Sequence, residues 1–468
     1  MESTRSLALG LNELYPLAPL LVLLFGSLIV LLVDCFTNVS RAVLFYITIA
    51  TYLFAMFAFW ERPESINSLL SPWLNFDPLS RFFTWFFLAV GLGSTLLSYP
   101  FFSRFQTPPG EYFFLTIAAT VGLILIGQAA DFLTLFIGLE TLSLALYVLC
   151  GYMKKSDDSR ESAMKYFLLG ALGAAFLIYG IALYYGAIGN TQLKPATSDL
   201  SIYLLSGLAL ITVGLAFKAA LVPFHTWAPD VYDGAPTATV AFMAVGTKAG
   251  AFAALILVFL MGLTPVWNQS LAFLAYPTLI YANYVAMKQI QLRRFFAYSG
   301  ISHAGYLLIP LAAATPESVP ALLFYLVVYA IATLGSFVIL GLLDDKPEGV
   351  LLSDLKGLFF RSPALATLFT LCLLTLAGIP PTVGFFAKFF VLKVAFDAGY
   401  YGLVIVGVLV AILAAYYYLR IIIAMFQQPD NTTPIRLAWP YIVLGVGAFI
   451  ALIVLSVYPA LLVDAIKV

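Results

Sequence analysis

Apolar runs of about twenty residues recur along the whole 468-residue sequence, with short polar segments between them. A run of this length is what an α-helix needs to cross the hydrocarbon core of a bilayer. Composition agrees, because 62% of the residues are hydrophobic and only 10% are charged, whereas soluble domains carry about 25% charged residues. The sequence therefore predicts an all-α integral membrane protein and excludes a water-soluble core.

The limits of these runs predict about fourteen transmembrane helices. We place them at 13–33, 41–60, 78–98, 111–129, 131–152, 160–187, 201–221, 237–262, 269–287, 295–314, 318–343, 362–398, 401–427 and 438–461. The run 362–398 counts as one broken helix with halves 362–379 and 382–398, because Pro380 and Pro381 interrupt it. Irregular backbone in a bilayer is tolerated only where protein covers it or where it lines a cavity. A tight hairpin between two short spans is the alternative.

Basic residues in the loops predict the orientation of the chain. With the N-terminus outside, the inner loops contain Arg41, Arg104, Lys154, Lys155, Arg160, Lys288, Arg293, Arg294, Lys346, Lys356, Arg361 and Arg436. The outer segments contain only Arg5, Arg62, Lys194 and Lys467. This excess of positive charge on one side predicts that both termini face outward. It also favours the broken helix, because a hairpin would reverse every inner loop that follows it.

The stretch 214–250 departs most from the apolar pattern. Lys218 lies near the end of its first apolar run, and Pro223 is expected to end the helix because proline lacks an amide proton and clashes with the preceding turn. A polar insert follows, in which Pro229 and Pro236 are expected to prevent a regular helix. The stretch therefore predicts a discontinuous membrane helix with a lysine beside the break.

A second lysine, Lys248, follows in the next apolar run. At helical spacing Ala241, Ala244 and Ala251 share its face, and these small side chains leave room for water around the ammonium group. A lysine at the centre of a membrane helix costs about 2.5–3.5 kcal/mol on the insertion scale. Lysines at such positions therefore indicate a path for protons or ions.

Two further lysines, Lys165 and Lys388, lie within predicted spans. Lys165 is the shallower of the two and has Glu161 one turn earlier as a potential partner. An anchor at the membrane interface is therefore the alternative to a role of Lys165 in the path. Other basic residues lie near span ends, where they can extend to the interface: Arg81, Lys393 and Arg420.

Glu140 is the only carboxylate well inside a predicted span, and Ser143 and Tyr147 share its helical face. A buried glutamate is neutral when it is alone but can remain ionised beside a lysine. His303 adds a side chain that exchanges protons near neutral pH. A hydrogen-bonded core histidine is the alternative interpretation of His303.

The remaining composition argues against several kinds of site. Cys35, Cys150 and Cys372 are too far apart for an iron–sulfur motif or a disulfide framework. Two histidines, His225 and His303, are too few for haem or for a metal cluster. The net charge of zero argues against a nucleic-acid surface. We therefore expect this chain itself to bind no metal, cofactor or nucleic acid.

Several of these segments carry a resemblance that covers nearly the whole chain. They are Val222-Pro-Phe-His-Thr-Trp-Ala-Pro-Asp-Val-Tyr-Asp-Gly-Ala-Pro236, Lys165-Tyr-Phe-Leu-Leu-Gly170, Ile178-Tyr-Gly-Ile-Ala182, Arg293-Arg-Phe-Phe-Ala-Tyr-Ser299 and Gly378-Ile-Pro-Pro-Thr-Val-Gly-Phe-Phe-Ala-Lys-Phe389. The sequence resembles the antiporter-like subunit N of respiratory complex I, a type I NADH-quinone oxidoreductase (subunit 2 in mitochondria and chloroplasts). Lys388 supports subunit N, because the sister subunit M is expected to carry a glutamate there. Ala238 is a departure, since family members often have proline at this position.

The resemblance implies an antiporter-like fold of two inverted five-helix repeats with discontinuous helices. Three N-terminal transmembrane helices would occupy 1–110, the repeats 111–262 and 263–427, and a C-terminal transmembrane helix 428–468. It also implies that Glu140 and Lys165 would form a coupling ion pair.

The lysine implied as the partner of Glu140 is Lys165, and the pair would drive proton loading at Lys218, the central protonatable lysine. Lys248 and His303 would link Lys218 towards Lys388 on the exit side. The resemblance further implies that subunits M and K are neighbours in the lipid bilayer of a bacterial inner membrane. NADH, FMN, iron–sulfur clusters and quinone would be bound by other subunits, since this sequence contains no nucleotide loop and no redox ligand set.

Three hypotheses follow for the function. The first is a proton-translocating subunit of an NADH:quinone oxidoreductase, driven by quinone reduction elsewhere in the complex. The second is a subunit of a multi-subunit cation/proton antiporter or of a membrane-bound hydrogenase. The third is a structural or assembly subunit whose lysines only hold water and pack helices. The subunit N motifs argue against the second hypothesis, and the number of buried titratable groups argues against the third.

Overall fold

A computed structural model describes residues 15–60, 70–105, 109–193, 201–259, 265–344, 349–428, 435 and 437–466. Within these residues the chain is helical and contains no β-strand, only isolated bridges. The helices of more than four residues are α1 (Ala18–Phe36), α2 (Arg41–Ala58), α3 (Pro78–Phe105), α4 (Gly110–Gln128), α5 (Phe132–Cys150), α6 (Asp157–Ile188), α7 (Ile202–Lys218), α8 (Trp227–Gly234), α9 (Thr237–Phe242, Met243–Thr247 and Lys248–Phe259), α10 (Pro265–Ala286), α11 (Leu292–Ala313), α12 (Ser318–Leu343), α13 (Pro363–Ala377), α14 (Val383–Asp397), α15 (Tyr401–Phe426), α16 (Trp439–Val457) and α17 (Ala460–Ala465).

Eleven helices of the described chain are long and apolar enough to cross a membrane: α1 to α6, α9, α11, α12, α15 and α16. The shorter helices α7 and α13 are also apolar. The prediction of an all-α membrane protein is therefore confirmed, while the number of about fourteen spans stays a prediction. The predicted span limits at 13 and 262 lie outside the described residues.

The first helix break lies where Pro223 predicted it. α7 ends at Lys218, and Ala220 has a positive φ of 56°, which turns the chain away from the helix axis. The prediction that the polar insert forms no regular helix is wrong, because α8 covers Trp227–Gly234. Pro229 lies in the first turn of α8, where its missing amide proton would have had no acceptor within the helix. The indole Nε1 of Trp227 donates to the carbonyl of Phe217 at 2.9 Å and so ties α8 back to α7.

The second break separates α13 from α14 at residues 378–382, as the two prolines predicted. Gly378 ends α13 with a φ of 76°, a left-handed conformation that glycine adopts without a steric cost. The two half-helices make far fewer contacts with each other than the neighbouring helices α6 and α7 do. Gly384, in the first turn of α14, lies directly against the carbonyl of Thr375. This arrangement favours one broken helix over a hairpin.

The centre of the bundle is formed by α9 and α11, which are entirely buried over their membrane-spanning windows. A π turn occupies Met243–Thr247 in α9, immediately before Lys248. Such turns widen the helix by one residue and are frequent at functional sites. The common face predicted for Ala241, Ala244 and Lys248 assumes a regular α-helix. Because the π turn lies between Ala241 and Lys248, the side chain of Lys248 is rotated about the helix axis relative to that prediction. In contrast, α1, α2, α15 and α16 expose apolar side chains on the outside of the bundle.

The predicted repeat of five helices stays a prediction, but the order of the helices shows where its broken members would lie. Counting from α4, the fourth member of the series is the broken unit of α7 and α8. Counting from α10, the fourth member is again broken, between α13 and α14. The predicted boundary between residues 262 and 263 lies outside the described residues, and the inverted relation of the two units stays a prediction.

Helices α4 and α5 approach each other closely at two glycines. A Cβ atom added to Gly122 would lie 2.7 Å from the carbonyl oxygen of Gly138, and one added to Gly138 would lie 2.9 Å from the carbonyl oxygen of Gly122. Small residues at such crossings allow membrane helices to pack backbone against backbone. This contact holds α5, and with it Glu140, against the rest of the bundle.

We expect Gly122→Ala to destabilise the protein by about 1–3 kcal/mol, because the added methyl group must push two backbones apart. Gly186→Ala in α6 is the matched control, since nothing lies within 4 Å of its added Cβ. The measurement is the thermal unfolding midpoint of both variants in the same detergent. Equal midpoints for the two variants would show that the close crossing does not stabilise the fold.

Candidate proton pathway

Lys218 is the last residue of α7, and only 3% of its surface is exposed. Its ammonium group donates to the hydroxyl of Ser143 at 2.6 Å and lies 3.7 Å from Oε1 of Glu140. It also lies 5.9 Å from the ring centroid of Tyr147. The predicted common face of Glu140, Ser143 and Tyr147 on α5 is therefore the surface that surrounds Lys218.

The charge partner of Glu140 is Lys218, so the expected ion pair between Glu140 and Lys165 is wrong. Among the described residues, Glu140 and Lys165 do not come within ion-pair distance. At 3.7 Å and an effective dielectric constant of about 20, the attraction between Glu140 and Lys218 is roughly 4 kcal/mol before desolvation is counted. Sequence spacing could not reveal this pair, because it forms between α5 and the end of α7.

Lys165 belongs to a separate charged network. Its ammonium group contacts Glu161 at 2.7 Å and Asp230 at 2.9 Å, and its side chain is 42% exposed. Arg294 extends the network, with contacts to Asp230 at 3.1 Å and to Asp233 at 3.4 Å. The network joins α6, α8 and α11, and the exposure of Lys165 fits the interfacial anchor that was its alternative interpretation.

The two carboxylates of α8 differ in their electrostatic surroundings. Burial opposes the ionisation of Asp230, but hydrogen bonds and charges from Lys165 and Arg294 outweigh it and lower the pKa of Asp230. For Asp233 burial is the stronger influence and raises its pKa, although the positive charges of Arg293 and Arg294 favour the ionised carboxylate. Asp230 therefore carries a fixed charge, whereas Asp233 takes up a proton more readily than an ordinary aspartate.

A polar cavity of about 170 Å³ lies within this network. Its lining combines both carboxylates of α8 with residues of α6 and α11: Asp158, Glu161, Ser162, Lys165, Asp230, Asp233, Gly234, Gln291, Arg293 and Arg294. Arg293 is a buried member of this lining, and it donates to the carbonyl of Ala235 at 3.1 Å and approaches Asp344 at 3.9 Å. A cavity of this size and polarity can hold several water molecules.

Lys248 is buried at the start of the last segment of α9. Its ammonium group donates to the carbonyl of Gly300 in α11 at 2.6 Å and lies 5.9 Å from the ring centroid of Tyr329. The hydroxyl of Tyr329 in turn donates to the carbonyl of Ala244 at 3.1 Å, within the π turn. The π turn and α11 thus position Lys248 together.

His303 lies one turn after Gly300 and is buried. Its ring nitrogens lie 2.7 Å from the hydroxyl of Tyr325 and 3.2 Å from the hydroxyl of Tyr418. Tyr418 also shares a hydrogen bond with Ser299. Both ring nitrogens of His303 are therefore hydrogen-bonded, and each hydroxyl partner can accept or donate a hydrogen bond.

Lys388 lies in α14 directly beside the second helix break. Its ammonium group donates to the carbonyl of Ala377 at 2.7 Å, at the C-terminus of α13, where the helix dipole is negative. It also lies 4.9 Å from the ring centroid of Tyr306. Gly300, His303 and Tyr306 follow at three-residue spacing on α11, so one face of this helix leads from Lys248 to Lys388.

Several residues of this site carried no usable signal in the sequence. Tyr325, Tyr329 and Tyr418 lie in apolar runs, where tyrosine alone does not distinguish packing from a polar role. Asp230 and Arg294 were within the segments that carried the resemblance, but only the fold brings them to Lys165. His225 is buried, and its Nδ1 has no hydrogen-bond partner among the described residues.

Cys35 is exposed, and Cys150 and Cys372 are buried; all three are free thiols. In the described part of the chain no three His, Cys, Asp or Glu side chains form a group that could hold a metal ion.

Comparison with known proteins adds independent information. Residues 129–414 match the family described as NADH:quinone oxidoreductase/Mrp antiporter, TM. NADH-quinone oxidoreductase subunit N of Protochlamydia amoebophila (strain UWE25) is 56% identical over 97% of this chain and 97% of its own length. A chain of respiratory complex I from Thermus thermophilus with bound aureothin is 33% identical, with a TM-score of 0.84 over 96% of this chain and 99% of that chain.

The Mrp complex from Dietzia sp. DQ12-45-1b contains a chain of similar fold, with a TM-score of 0.84 over 97% of this chain and 96% of that chain. At 20% identity this likeness concerns the fold alone. The identity to subunit N of Protochlamydia amoebophila is higher and extends over nearly the full length of both chains. The predicted resemblance is therefore confirmed, and the chain belongs to the subunit N family of NADH-quinone oxidoreductases.

Proposed function

We propose that this chain moves protons across the membrane as subunit N of an NADH:quinone oxidoreductase, with Lys218 as its central proton carrier. The observation that supports this most strongly is the buried ammonium group of Lys218, held between Ser143 and the carboxylate of Glu140. An isolated ammonium group is strongly disfavoured in an apolar interior, whereas a carboxylate beside it stabilises its charged form. A change in the distance to Glu140 would therefore load or release the proton of Lys218.

The proton leaves Lys218 along α11. Lys248 receives it first, and His303 and Lys388 follow, because the face that holds Gly300, His303 and Tyr306 connects these groups. The gaps between the named side chains exceed the length of a hydrogen bond, so water molecules must complete the path. Lys165 is not a member of this series in our proposal, but holds the charged network at the mouth of the polar cavity.

The energy for transport comes from outside the chain. Moving one elementary charge against 100 mV takes roughly 2.3 kcal/mol, which is comparable with the attraction between Glu140 and Lys218. NADH, FMN, iron–sulfur clusters and quinone belong to other subunits in this proposal. The neighbours in the membrane are subunit K on one side and the antiporter-like subunit M on the other.

The membrane is the inner membrane of a bacterium, and both termini lie on its outer side. The polar cavity with Lys165 and Arg294 then faces the cytoplasm. Of the basic residues that support this orientation, Arg5, Arg62, Lys194, Lys346, Arg436 and Lys467 and the side chain of Arg104 lie outside the described structure. Two inverted units of five spans, 111–262 and 263–427, complete the proposed organisation.

A cation/proton antiporter or hydrogenase subunit remains the second candidate, and the similarity to a chain of the Mrp complex favours it only at the level of the fold. The identities to subunit N make it the weaker proposal.

We expect Lys218→Ala to abolish or sharply lower proton pumping while the complex remains assembled, because the variant removes the titrating group together with its desolvation cost. Lys155→Ala in the exposed loop before α6 is the control. Pumped protons per electron are measured in vesicles that contain the purified complex. Unchanged pumping by Lys218→Ala would contradict the role of Lys218.

Orientation is testable with an impermeant thiol reagent in a Cys35→Ser background. Ser353→Cys, in the exposed segment between α12 and α13, should react only from the cytoplasmic side. Asn190→Cys, in the exposed turn after α6, should react only from the outer side. The opposite pattern would reverse the proposed orientation.

A further inference from the structure

Three buried hydroxyl groups between the polar cavity and Lys218 have no hydrogen-bond partner within 3.5 Å among the described residues. They belong to Ser162, Tyr166 and Tyr147. Tyr166 is completely buried, and Ser162 and Tyr147 are nearly so. A buried hydroxyl without a partner costs about 1–3 kcal/mol, and phenylalanine at the two tyrosine positions would avoid this cost. Packing alone therefore does not account for these hydroxyls.

The three side chains form a continuous series. Ser162 lines the polar cavity, and Tyr166 follows it one turn later on α6. The rings of Tyr166 and Tyr147 meet edge to face with centroids 4.8 Å apart. Tyr147 is the ring that lies 5.9 Å from the ammonium group of Lys218. One end of the series thus opens into the cavity, and the other end reaches the central lysine.

The surrounding residues hold the two rings in place. Tyr166 stacks on Trp227 with centroids 4.7 Å apart, and Trp227 is hydrogen-bonded to the carbonyl of Phe217, next to Lys218. A Cβ atom added to Gly170 would collide with the hydroxyl oxygen of Tyr147. The hydroxyl of Tyr147 therefore packs against α6, one turn from Tyr166, and only a glycine at position 170 leaves space for it.

We propose that Ser162, Tyr166 and Tyr147 are relay groups of a proton inlet that leads from the polar cavity beside Asp233 to Lys218. The inlet rests on the proposed role of Lys218 as proton carrier. Water molecules between the hydroxyls complete the chain, since each hydroxyl can both donate and accept a hydrogen bond. Each hydroxyl oxygen accepts a proton and gives up the one it carried. The net result is one proton transferred from the cavity to the amine of Lys218, with no charge left on a phenol.

The test uses Tyr147→Phe, Tyr166→Phe and the double variant in the whole complex, reconstituted in vesicles. Each substitution keeps the ring and removes only the hydroxyl. We expect the rate of proton uptake to fall by roughly tenfold or more in each single variant, because relay groups contribute strongly to proton transfer. The double variant should fall no further than the worse single, since the groups act in series. The thermal midpoint of the assembled complex should not fall, because no protein hydrogen bond is lost.

Tyr184→Phe is the matched control, since it removes a hydroxyl from α6, the helix that carries Tyr166, at a position outside the inlet. It should pump like the unmodified complex. Wild-type pumping by Tyr147→Phe and Tyr166→Phe, or losses that add in the double variant, would overturn the inlet. Lys218→Ala, measured alongside, separates the two proposals: if only this variant stops pumping, the inlet is wrong and the proposed function stands. If Lys218→Ala pumps normally, the proposed function fails, and the inlet to Lys218 fails with it.

Discussion

A bilayer supplies no water to an ammonium group, so each buried lysine of this chain needs an acceptor within the protein. Each of these lysines lies at or near an interruption of the helices: Lys218 ends α7 at the first break, Lys248 follows the π turn of α9, and Lys388 lies near the second break. Neighbouring helices supply the acceptors. α5 contributes a hydroxyl and a carboxylate to Lys218, α11 a backbone carbonyl to Lys248, and the end of α13 a terminal carbonyl to Lys388. The interruptions therefore place the ammonium groups, and the helices packed against them provide their partners.

Helix α11 connects these positions and makes them one system. It is buried over its membrane-spanning window, and its Gly300 carbonyl accepts from Lys248. One turn later His303 joins tyrosines from α12 and α15, and a further turn brings Tyr306 beneath Lys388. At its other end the same helix holds Arg294 against the carboxylates of α8. A displacement of α11 would therefore change contacts at the polar cavity and also the contacts of Lys248 and Lys388.

The sequence was sufficient for the fold class, for both helix breaks and for the burial of Lys218, Lys248, His303 and Lys388, because hydropathy, proline and charge act locally. It was insufficient for the partners of those groups. The family resemblance implies Lys165 as the partner of Glu140, whereas the end of α7 brings Lys218 closer. The sequence does not predict α8, because Pro229 indicates a helix break, although a proline in the first turn of a helix removes no hydrogen bond. It does not predict the π turn either, because such a turn leaves no recognisable pattern in a run of small residues.

The central claim is that Glu140 and Lys218 act as one unit. A double-mutant cycle tests it most directly, with Glu140→Gln, Lys218→Met and the double variant compared in the same vesicles for pumped protons per electron. If the two groups share one function, the double variant loses no more than the worse single variant. Losses whose logarithms add would contradict the account, because they would mean that Glu140 and Lys218 serve separate steps.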